Sequence, residues 1–557
     1  MRDGPSSRES YAAAALCFAL ALGVSCALHA PVLSQLKSTV PYGAFHGSQA
    51  WIFDHLARIL TLEEPWSLFT KRLAWPAGAE LRPMALGPTL VAMPFRPLLG
   101  PLGAYNMAVL MSPGLSALAC MWMLRRVTDA SPWVASAMSL PFALCPYALG
   151  TLASGQTEKV QLWCLALPLG AAVVAMTGRW SALLALSAAV MMTCFTEPSV
   201  GLQLPFALGA AVLMGALARR LHWRALGMGV LVLGIAAASM IPSYFFYRGL
   251  TSQNSVGGVL SAMQPALRMN TMGDVVHSVA SLNTTFWPGP VIVKEPLDTA
   301  HLHYLPIPLV LSALVLALVG RRGRWLGIAW TLIGLSLAFG EHIVWRNNFL
   351  RWHGLPLAMP AEFLSRHGYP LASSGMYYRI VALAALGLTV IVSAGCARLG
   401  RWGVALAWVL SLASTGEGIR SCLSLWPRQP WVDVDPSLLA QMAADPLPGA
   451  VLDLPLENHG NATQAYLLSA TLHGRATNGV PRLMRVMELA HLRGPRDALL
   501  YSDDAASRLA AMGFRYVVWH DIQCDDKPCL DEVKLALGPP SLGDSIWALS
   551  PAIPPDK

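Results

Sequence analysis

Long apolar runs constrain this chain more than any other feature. Eleven of them recur before residue 421, each close to the length of about 17 to 25 residues that an α-helix needs to cross a bilayer. A composition of 55% hydrophobic and 13% charged residues differs from that of a soluble globule, whose charged fraction is about 25%. We therefore predict a mainly α-helical polytopic membrane protein with about eleven transmembrane helices. The runs are residues 11–33, 103–124, 131–152, 160–177, 180–196, 199–218, 225–247, 304–320, 325–343, 377–396 and 402–420.

Clusters of arginine fall at alternate connections between these runs. Short loops rich in Lys or Arg stay in the cytoplasm because translocation and the membrane potential both oppose their transfer. The sorting predicts a cytoplasmic N-terminus, and an odd number of helices then places the C-terminus outside. The net charge of +8 follows from these turns, and the basic residues form no continuous stripe, which excludes nucleic acid as a partner. The clusters are Arg2 and Arg8; Arg125 and Arg126; Arg179; Arg219, Arg220 and Arg224; Arg321, Arg322 and Arg324; and Arg398 and Arg401.

Residues 34–102 are predicted to form the first outer loop. Within it, residues 84–100 are apolar enough for a span but contain three prolines and Arg96, and a span there would place the later arginines outside. We therefore expect a re-entrant or interfacial segment packed on protein. Earlier in the loop, apolar residues recur at helical spacing and predict an interfacial helix along the membrane surface. These residues are Trp51, His55, Ile59 and Leu62.

The chain changes character in the tail, because the long apolar runs stop after Pro427. Its pattern predicts short strands that alternate with amphipathic helices, and about 130 residues suffice for an independent domain. We therefore divide the chain into a transmembrane domain, residues 1–420, and a soluble extracytoplasmic α/β domain, residues 421–557. The predicted strands are residues 450–455 and 514–520, and the predicted helices are residues 436–444, 463–472 and 505–512.

Two cysteines of the tail lie close together in the sequence. Cys524 and Cys529 belong to the segment that the topology places on the oxidising side of the membrane. A disulfide between them is the favoured interpretation there, and two unpaired thiols are the alternative.

The order of these features resembles that of the GT-C superfamily of membrane glycosyltransferases, enzymes that use lipid-linked sugars. The resemblance is one of layout over most of residues 1–420, and it is closest to uncharacterised bacterial members with a C-terminal periplasmic domain. The motifs that carry it in the first part are residues 82–88 (RPMALGP), 98–101 (LLGP), Arg125-Arg126 and 155–158 (GQTE). Those in the tail are residues 450–455 (AVLDLP), 472–475 (LHGR) and 513–518 (GFRYVV).

The resemblance implies transfer of a sugar from a polyprenyl-phosphate donor to a glycan, lipid or protein acceptor. The reaction would take place at the outer face of the bacterial inner membrane. The family places one acidic residue in the first outer loop as general base and another in the second, in some members with a divalent metal; the sequence leaves the cofactor unknown. Relatives tend to carry Asp directly after the glycine that corresponds to Gly47, and here that position is Ser48. Asp54, six residues on, is the candidate to replace that Asp, although about 600° of helical rotation places it on a different face of the helix from Ser48.

Two acidic residues form the predicted catalytic pair. Glu158 lies at the ends of two predicted helices, where a carboxylate is costly unless it is paired or hydrated. It is either a general base for an acceptor hydroxyl or a charge paired with Lys159. Asp54, with His55 and Arg58, belongs either to a polar cluster over the membrane or to the solvated face of a surface helix.

Further residues are predicted to bind substrate. Arg379 precedes an apolar run, where its guanidinium either holds a lipid phosphate or extends to the interface. Glu197 either binds substrate or marks the helix break before Pro198. His301 and His303 lack an identified third ligand, so no metal site is assigned. The predicted substrate-binding residues are Ser48, His55, Glu197, Arg366 and Arg379.

A function of another class remains open: a non-catalytic membrane scaffold or transporter for lipid-linked glycan. Transporters commonly contain internal repeats and charges near the membrane midplane. This sequence has no such repeat and few charges within its spans. Its acidic residues gather at one predicted face, which favours chemistry at the membrane surface.

Overall fold

The computed structural model describes most of the chain in fourteen segments. These are residues 7–43, 45–65, 69–76, 78–80, 85–218, 223–252, 285–286, 304–320, 322–345, 348–367, 377–456, 460–479, 490–520 and 529–550.

A helix lies at each of the eleven predicted apolar runs. The run at 131–152 is divided into two helices that meet at an angle of 48°, because Pro146 begins the second one. The helices up to residue 422 are α1 Ser7–Leu28, α2 Ala30–Leu33, α3 His46–Leu60, α4 Leu86–Ala92, α5 Arg96–Val127, α6 Pro132–Ala143, α7 Pro146–Ala153, α8 Trp163–Ala175, α9 Trp180–Thr196, α10 Pro198–Gly201, α11 Leu204–Ala218, α12 Trp223–Ser252, α13 Ile307–Val319, α14 Arg324–Ala338, α15 Pro360–Arg366, α16 Val381–Arg398 and α17 Gly400–Cys422.

Several of these helices are suited to a bilayer. Three are long and apolar enough to cross it, namely Ser7–Leu28, Leu86–Val127 and Val381–Arg398, and a fourth is added if α6 and α7 form one broken span. Six shorter apolar helices accompany them. The chain is therefore a multi-pass membrane protein, and the number of eleven spans stays a prediction.

The segment 84–100 continues into α5. Helix α4 and a short 3₁₀ turn, Met93–Phe95, lead directly to Arg96. The path bends at Gly100, whose φ of 71° is in the left-handed region that glycine occupies without a steric penalty. The segment is thus a kinked helical entry to α5, and its place relative to the membrane interface stays a prediction.

Glycines allow α14 and α16 to approach each other closely. A Cβ atom on Gly334 would lie 2.4 Å from the backbone nitrogen of Ala384. A Cβ atom on Gly387 would meet the hydroxyl of Thr331 at the same distance. Small residues let two helix backbones approach each other, as membrane helices commonly do.

The tail contains one small sheet. Strand β9, Ala450–Leu454, runs parallel to β10, Phe514–Trp519, and β11, Ile546–Ala548, is antiparallel to β10. These include both strands that the sequence predicts, and helices lie at the three predicted positions. Whether the tail folds as an independent domain stays a prediction. Its helices are α18 Pro436–Ala444, α19 Gly460–His473, α20 Ala490–Tyr501, α21 Ala505–Ala511 and α22 Leu530–Leu537.

The remaining strands are short. They form four two-stranded ladders, three of them local hairpins and one a pairing of the first outer loop with the start of the tail. The pairs are β1 Val40–Pro41 with β8 Pro430–Trp431, β2 Phe69–Thr70 with β3 Ala79–Glu80, β4 Val344–Trp345 with β5 Asn348–Phe349, and β6 Arg351–Trp352 with β7 Leu355–Pro356.

The tail packs directly on the segment of residues 34–102. The backbone N–H of Trp75 donates to the carbonyl of Thr477 at 3.0 Å, and its indole N–H donates to the carbonyl of Met512 at 3.1 Å. Helix α19 lies on α3. The two segments were predicted separately, whereas these contacts join them in the structure.

Candidate active site

Helix α3 begins at His46 and is buried along almost its whole length. Eleven of its fifteen residues are buried, because α19 of the tail covers the side that the pattern assigned to solvent or lipid. The alternative of a solvated face for Asp54 is therefore wrong, whereas the position of α3 along the membrane surface stays a prediction. Leu62 is also not part of its apolar stripe, since it lies beyond the helix with a φ of 62° and is 86% exposed.

Ser48 lies beneath the tail. Its backbone N–H donates to the side-chain oxygen of Gln464 at 2.7 Å, and its hydroxyl donates to the carbonyl of Phe45 at 3.1 Å. A Cβ atom on the neighbouring Gly47 would come within 2.1 Å of the Gln464 carbonyl oxygen. Glycine is thus required at position 47 for α19 to approach this closely.

Asp54 is buried among three arginines. The Arg58 Nε donates to Asp54 Oδ2 at 2.7 Å, and the Arg96 Nε donates to Asp54 Oδ1 at 3.2 Å. A terminal nitrogen of Arg72 lies 3.7 Å from Asp54 Oδ2. The Asp54 side chain is 1% exposed, so its charge is compensated by these guanidinium groups.

Two further carboxylates balance the three arginines. Glu63 accepts hydrogen bonds from Arg96 at 2.5 and 3.0 Å, and Arg72 donates to Glu64 at 2.8 Å. The hydrogen bonds from Arg96 lower the pKa of Glu63 to about 2. We name this group of three carboxylates and three arginines the Asp54 network: Asp54, Glu63, Glu64, Arg58, Arg72 and Arg96.

His55 adjoins the Asp54 network. Its Nδ1 lies 3.0 Å from a carboxylate oxygen of Glu64, and its ring stacks on Trp51 with 4.9 Å between centroids. The sequence placed Asp54, His55 and Arg58 in one polar cluster, and the structure brings the three side chains together. The sequence pattern did not identify Glu63, Glu64 and Arg72 as members of this cluster. Arg96 was noted only because a charged residue disfavours a transmembrane span.

A second charged group forms where several helix ends meet. Glu158 and Lys159 lie between α7 and α8, Glu197 ends α9, and Arg379 lies in a 3₁₀ turn, Tyr377–Ile380, that leads into α16. The Lys159 ammonium lies 3.5 Å from a carboxylate oxygen of Glu158 and donates to the Gln156 side chain at 2.6 Å. We name this group the Glu158 cluster: Glu158, Lys159, Glu197 and Arg379.

The four charges of the Glu158 cluster influence one another. Burial raises the pKa of Glu158, the negative charge of Glu197 adds to this rise, and the cations of Lys159 and Arg379 oppose it. Burial likewise lowers the pKa of Lys159 to about 8, and the charge of Arg379 contributes to the decrease. The structure therefore brings together three residues that the sequence selected one by one: Glu158, Glu197 and Arg379.

The Glu158 cluster is joined to the start of α3. The Lys159 ammonium lies 5.8 Å from the centre of the Phe45 ring, and the Phe45 carbonyl accepts the hydroxyl of Ser48. One carboxylate oxygen of Glu158 is buried and has no hydrogen-bond partner among the described residues.

The other predicted site residues lie elsewhere. Arg366 is 74% exposed in its side chain and pairs with Glu362 within α15. Cys529 is exposed before α22, whereas Cys524, His301 and His303 lie outside the described residues, so the disulfide stays a prediction. Within the described part of the chain, no group of three or more His, Cys, Asp or Glu side chains has the arrangement of a metal site.

The tail contains a buried group that the sequence did not reveal. The His520 ring lies 2.6 Å from a carboxylate oxygen of Asp433 through Nδ1 and 2.8 Å from one of Asp453 through Nε2. Thr477 donates its hydroxyl to the other oxygen of Asp453. Burial opposes protonation of His520, but the hydrogen bonds and charges of the two carboxylates outweigh it and raise the pKa to about 9.

Comparison with known proteins gives structural neighbours only. No protein-family model matches this chain, and no curated protein sequence matches it. The Archaeoglobus fulgidus oligosaccharyltransferase in its apo form is similar with a TM-score of 0.45 and 11% identity, over 91% of this chain and 69% of that one. The same archaeal enzyme, AglB, in complex with an inhibitory peptide and a dolichol-phosphate, gives 0.44 and 12% over the same shares.

A mycobacterial enzyme is also similar. The arabinofuranosyltransferase AftD gives a TM-score of 0.47 at 16% identity, over 96% of this chain and 38% of that one. The enzymes named are glycosyltransferases, the class that the GT-C resemblance of the sequence implies for this chain. Because each TM-score is below 0.5, the similarity carries no conclusion about the activity of this protein.

Proposed function

We propose that this chain is a GT-C-type glycosyltransferase that transfers a sugar from a polyprenyl-phosphate donor to an acceptor at the outer face of the bacterial inner membrane. The observation that carries the proposal is the Glu158 cluster. It combines two carboxylates with two cations at the meeting point of several helix ends, which is the set of charges that such a transfer requires.

Glu158 is the proposed general base. In an inverting transfer it accepts the proton of the acceptor hydroxyl while that oxygen bonds to the anomeric carbon and the bond from this carbon to the phosphate oxygen breaks. A base is most effective when its pKa is near the operating pH, and burial raises the pKa of Glu158 in that direction. Its unpartnered carboxylate oxygen offers the acceptor a hydrogen-bond site.

Lys159 and Arg379 are the proposed phosphate-binding groups. The bond electrons leave with the lipid phosphate, whose added negative charge needs stabilisation by nearby cations. Arg379 suits a phosphate because its guanidinium donates two parallel hydrogen bonds. Glu197 holds the two cations in place before the donor binds.

The Asp54 network has a positioning role in this proposal. Its three carboxylates balance its three arginines, so it offers no excess charge to a phosphate. Two arginines donate directly to Asp54, so both of its carboxylate oxygens are engaged within the network. We propose that it fixes α3 against the loop that follows it. His55 and Ser48 lie on the same helix, and we propose that they bind substrate from there.

The residues present do not fit a divalent metal at the Glu158 cluster. Such an ion takes several oxygen ligands, whereas Glu158 and Glu197 are the two carboxylates of the cluster. Lys159 lies 3.5 Å from Glu158, where its ammonium supplies the positive charge. The proposed transfer therefore uses Lys159 and Arg379, and no metal ion, to stabilise the leaving phosphate.

A non-catalytic scaffold that binds lipid-linked glycan is the second candidate function. The observation that favours it is Ser48, a position where relatives tend to carry Asp and where this chain has a hydroxyl bonded to its own helix. A scaffold would bind the donor through Lys159 and Arg379 without transfer.

The test separates transfer from binding. Full-length Glu158→Gln and wild-type protein are compared in nanodiscs with synthetic polyprenyl-phosphate sugars and a membrane glycan extract as acceptor. Loss of a general base lowers the rate by about 100-fold to 10,000-fold, while donor binding persists. Glu417→Gln is the matched control, because Glu417 accepts a hydrogen bond from Tyr304 in another part of the bundle. Unchanged transfer by Glu158→Gln would show that Glu158 is not the general base. Donor binding without transfer by the wild-type protein would favour the scaffold function.

A further inference from the structure

Two linked hairpins lie between α14 and α15. Strands β4 and β5 form the first, and β6 and β7 form the second. The backbone of Leu350 connects them, since its N–H donates to the carbonyl of Ile343 at 2.9 Å and its own carbonyl accepts from Leu357 at 2.8 Å. We name residues 344–357 the hairpin pair.

The second hairpin has a tight two-residue turn. His353 and Gly354 both have positive φ, 50° and 80°, as a turn of type I′ requires. Trp352 and Leu355 face each other across this turn. They are 70% and 71% exposed, so a rigid tip presents two large apolar side chains to its surroundings.

Exposed apolar side chains are concentrated around this tip. Six large ones are exposed between residues 345 and 363. In the tail, by contrast, Leu447, Tyr501 and Leu535 are exposed singly, which is normal for a soluble surface. A contiguous apolar patch marks a surface that another phase or molecule covers. The six residues are Trp345, Leu350, Trp352, Leu355, Leu357 and Phe363.

We propose that the tip of the hairpin pair inserts into the membrane–water interface at the outer leaflet of the membrane that the bundle spans. The hairpin pair follows α14 within six residues, so the chain enters it from an apolar helix of the bundle. Tryptophan is enriched at the level of the lipid headgroups. Arg351 is exposed beside the tip, where its guanidinium can reach the phosphates of anionic lipids.

The carboxylates of this segment are engaged elsewhere. Glu341 accepts a hydrogen bond from the Tyr377 hydroxyl at 3.2 Å, and Glu362 pairs with Arg366. Both are half-buried, so the exposed surface around the tip is apolar and basic. That combination matches acyl chains below a negatively charged headgroup layer.

The base of the hairpin pair is fixed to the bundle. Val344, its first residue, and Ala361, which follows it in α15, are fully buried. Glu341 is bonded to Tyr377, two residues before Arg379. The insertion would therefore hold the turn that carries Arg379 at a constant depth relative to the lipid headgroups. This role does not depend on whether the protein transfers a sugar.

The test uses an environment-sensitive dye at the tip. Trp352→Cys is labelled with NBD in the full chain, with Cys524 and Cys529 replaced by Ser, and the protein is placed in nanodiscs with or without lipids that carry a doxyl quencher near the headgroup. Leu535→Cys is the matched control, because Leu535 is 89% exposed on α22 of the tail. The remaining described cysteines are buried or half-buried.

We expect blue-shifted NBD emission at position 352 and loss of most of it in doxyl-lipid nanodiscs, with neither change at position 535. Leu355→Cys should behave like Trp352→Cys, which guards against a local distortion in one variant. Emission typical of water at both tip positions would overturn the proposal. Blue-shifted emission that doxyl lipids do not quench would overturn it as well, because protein would then cover the tip.

Discussion

Lys159 holds its ammonium 3.5 Å from a carboxylate oxygen of Glu158, the residue that precedes it. Adjacent residues in a helix or strand rarely face each other, and here the irregular connection between α7 and α8 allows it. Glu158 is buried and Lys159 is half-buried, so water screens the attraction between the two charges only weakly. The protonation of Glu158 is therefore coupled to the presence of Lys159.

Replacing Lys159 by Met should shift the acidic limb of the pH–rate profile upward. The cation opposes the rise of the Glu158 pKa that burial causes, so its loss raises that pKa further and leaves less carboxylate at neutral pH. Each pKa unit lowers the rate on that limb by about tenfold. The measurement is kcat/KM for transfer from pH 5 to pH 9. Lys159→Arg keeps the charge and should keep the wild-type profile; an unshifted profile for Lys159→Met would contradict the coupling.

Asp54→Asn should destabilise the protein. Removing one partner from a buried group of charges costs about 3 to 5 kcal/mol, since Arg58, Arg72 and Arg96 would lose their central carboxylate. We expect a lower Tm in detergent. Transfer per folded molecule should change far less than in Glu158→Gln.

The control for this prediction is Asp129→Asn. Asp129 pairs with Arg322 on the surface, with side chains 66% and 63% exposed, and such pairs contribute about 0 to 1 kcal/mol. Its Tm should match that of the wild type. A stable Asp54→Asn protein without transfer would instead identify Asp54 as a catalytic residue.

Local sequence patterns identify the helices but miss the partners of the charged residues. The hydrocarbon thickness imposes a length on each span, so apolar runs such as residues 377–396 correspond to helices in the structure, here Val381–Arg398. Glu158 and Glu197 stand out because acidic residues at the ends of such runs are rare. The contact between Asp54 and Arg96 joins residues 42 positions apart, and the packing of α19 on α3 joins residues over 400 positions apart. The pattern of residues within a single segment contains no information about such long-range contacts.

The tail should lose stability at alkaline pH because of His520. Its pKa is raised from 6.5 to about 9 in the folded state, so its contribution is complete below about pH 6.5, the unfolded pKa, and is lost as the pH rises through about 9. We expect the Tm of the tail to decrease between these values. The measurement is thermal unfolding in detergent at a series of pH values.

Two variants test whether His520 is the titrating group. Asp433→Asn removes one of the two negative charges at the His520 ring, so the folded-state pKa is lower, and the decrease in Tm should be smaller and should end at a lower pH. His473→Gln should leave the pH dependence unchanged, because burial lowers the pKa of His473 to about 3 and it stays neutral over this range. A pH dependence that survives in His520→Gln would assign it to another group.

Ser48→Asp tests the link between α3 and the Glu158 cluster. An acidic side chain in the first turn of a helix is favoured by the helix dipole, and the Gln464 amide can turn its N–H groups toward it. We expect a folded protein whose transfer rate is unchanged or raised, because the variant restores the carboxylate that relatives tend to carry. The measurement is transfer in nanodiscs, with the Tm recorded in parallel. Ser48→Asn is the matched control, because its side chain has nearly the same shape as that of Ser48→Asp and no charge. A higher transfer rate in Ser48→Asp alone would show that a negative charge at this position serves the reaction. A loss of transfer at an unchanged Tm would show instead that position 48 must stay neutral beside Phe45 and Lys159.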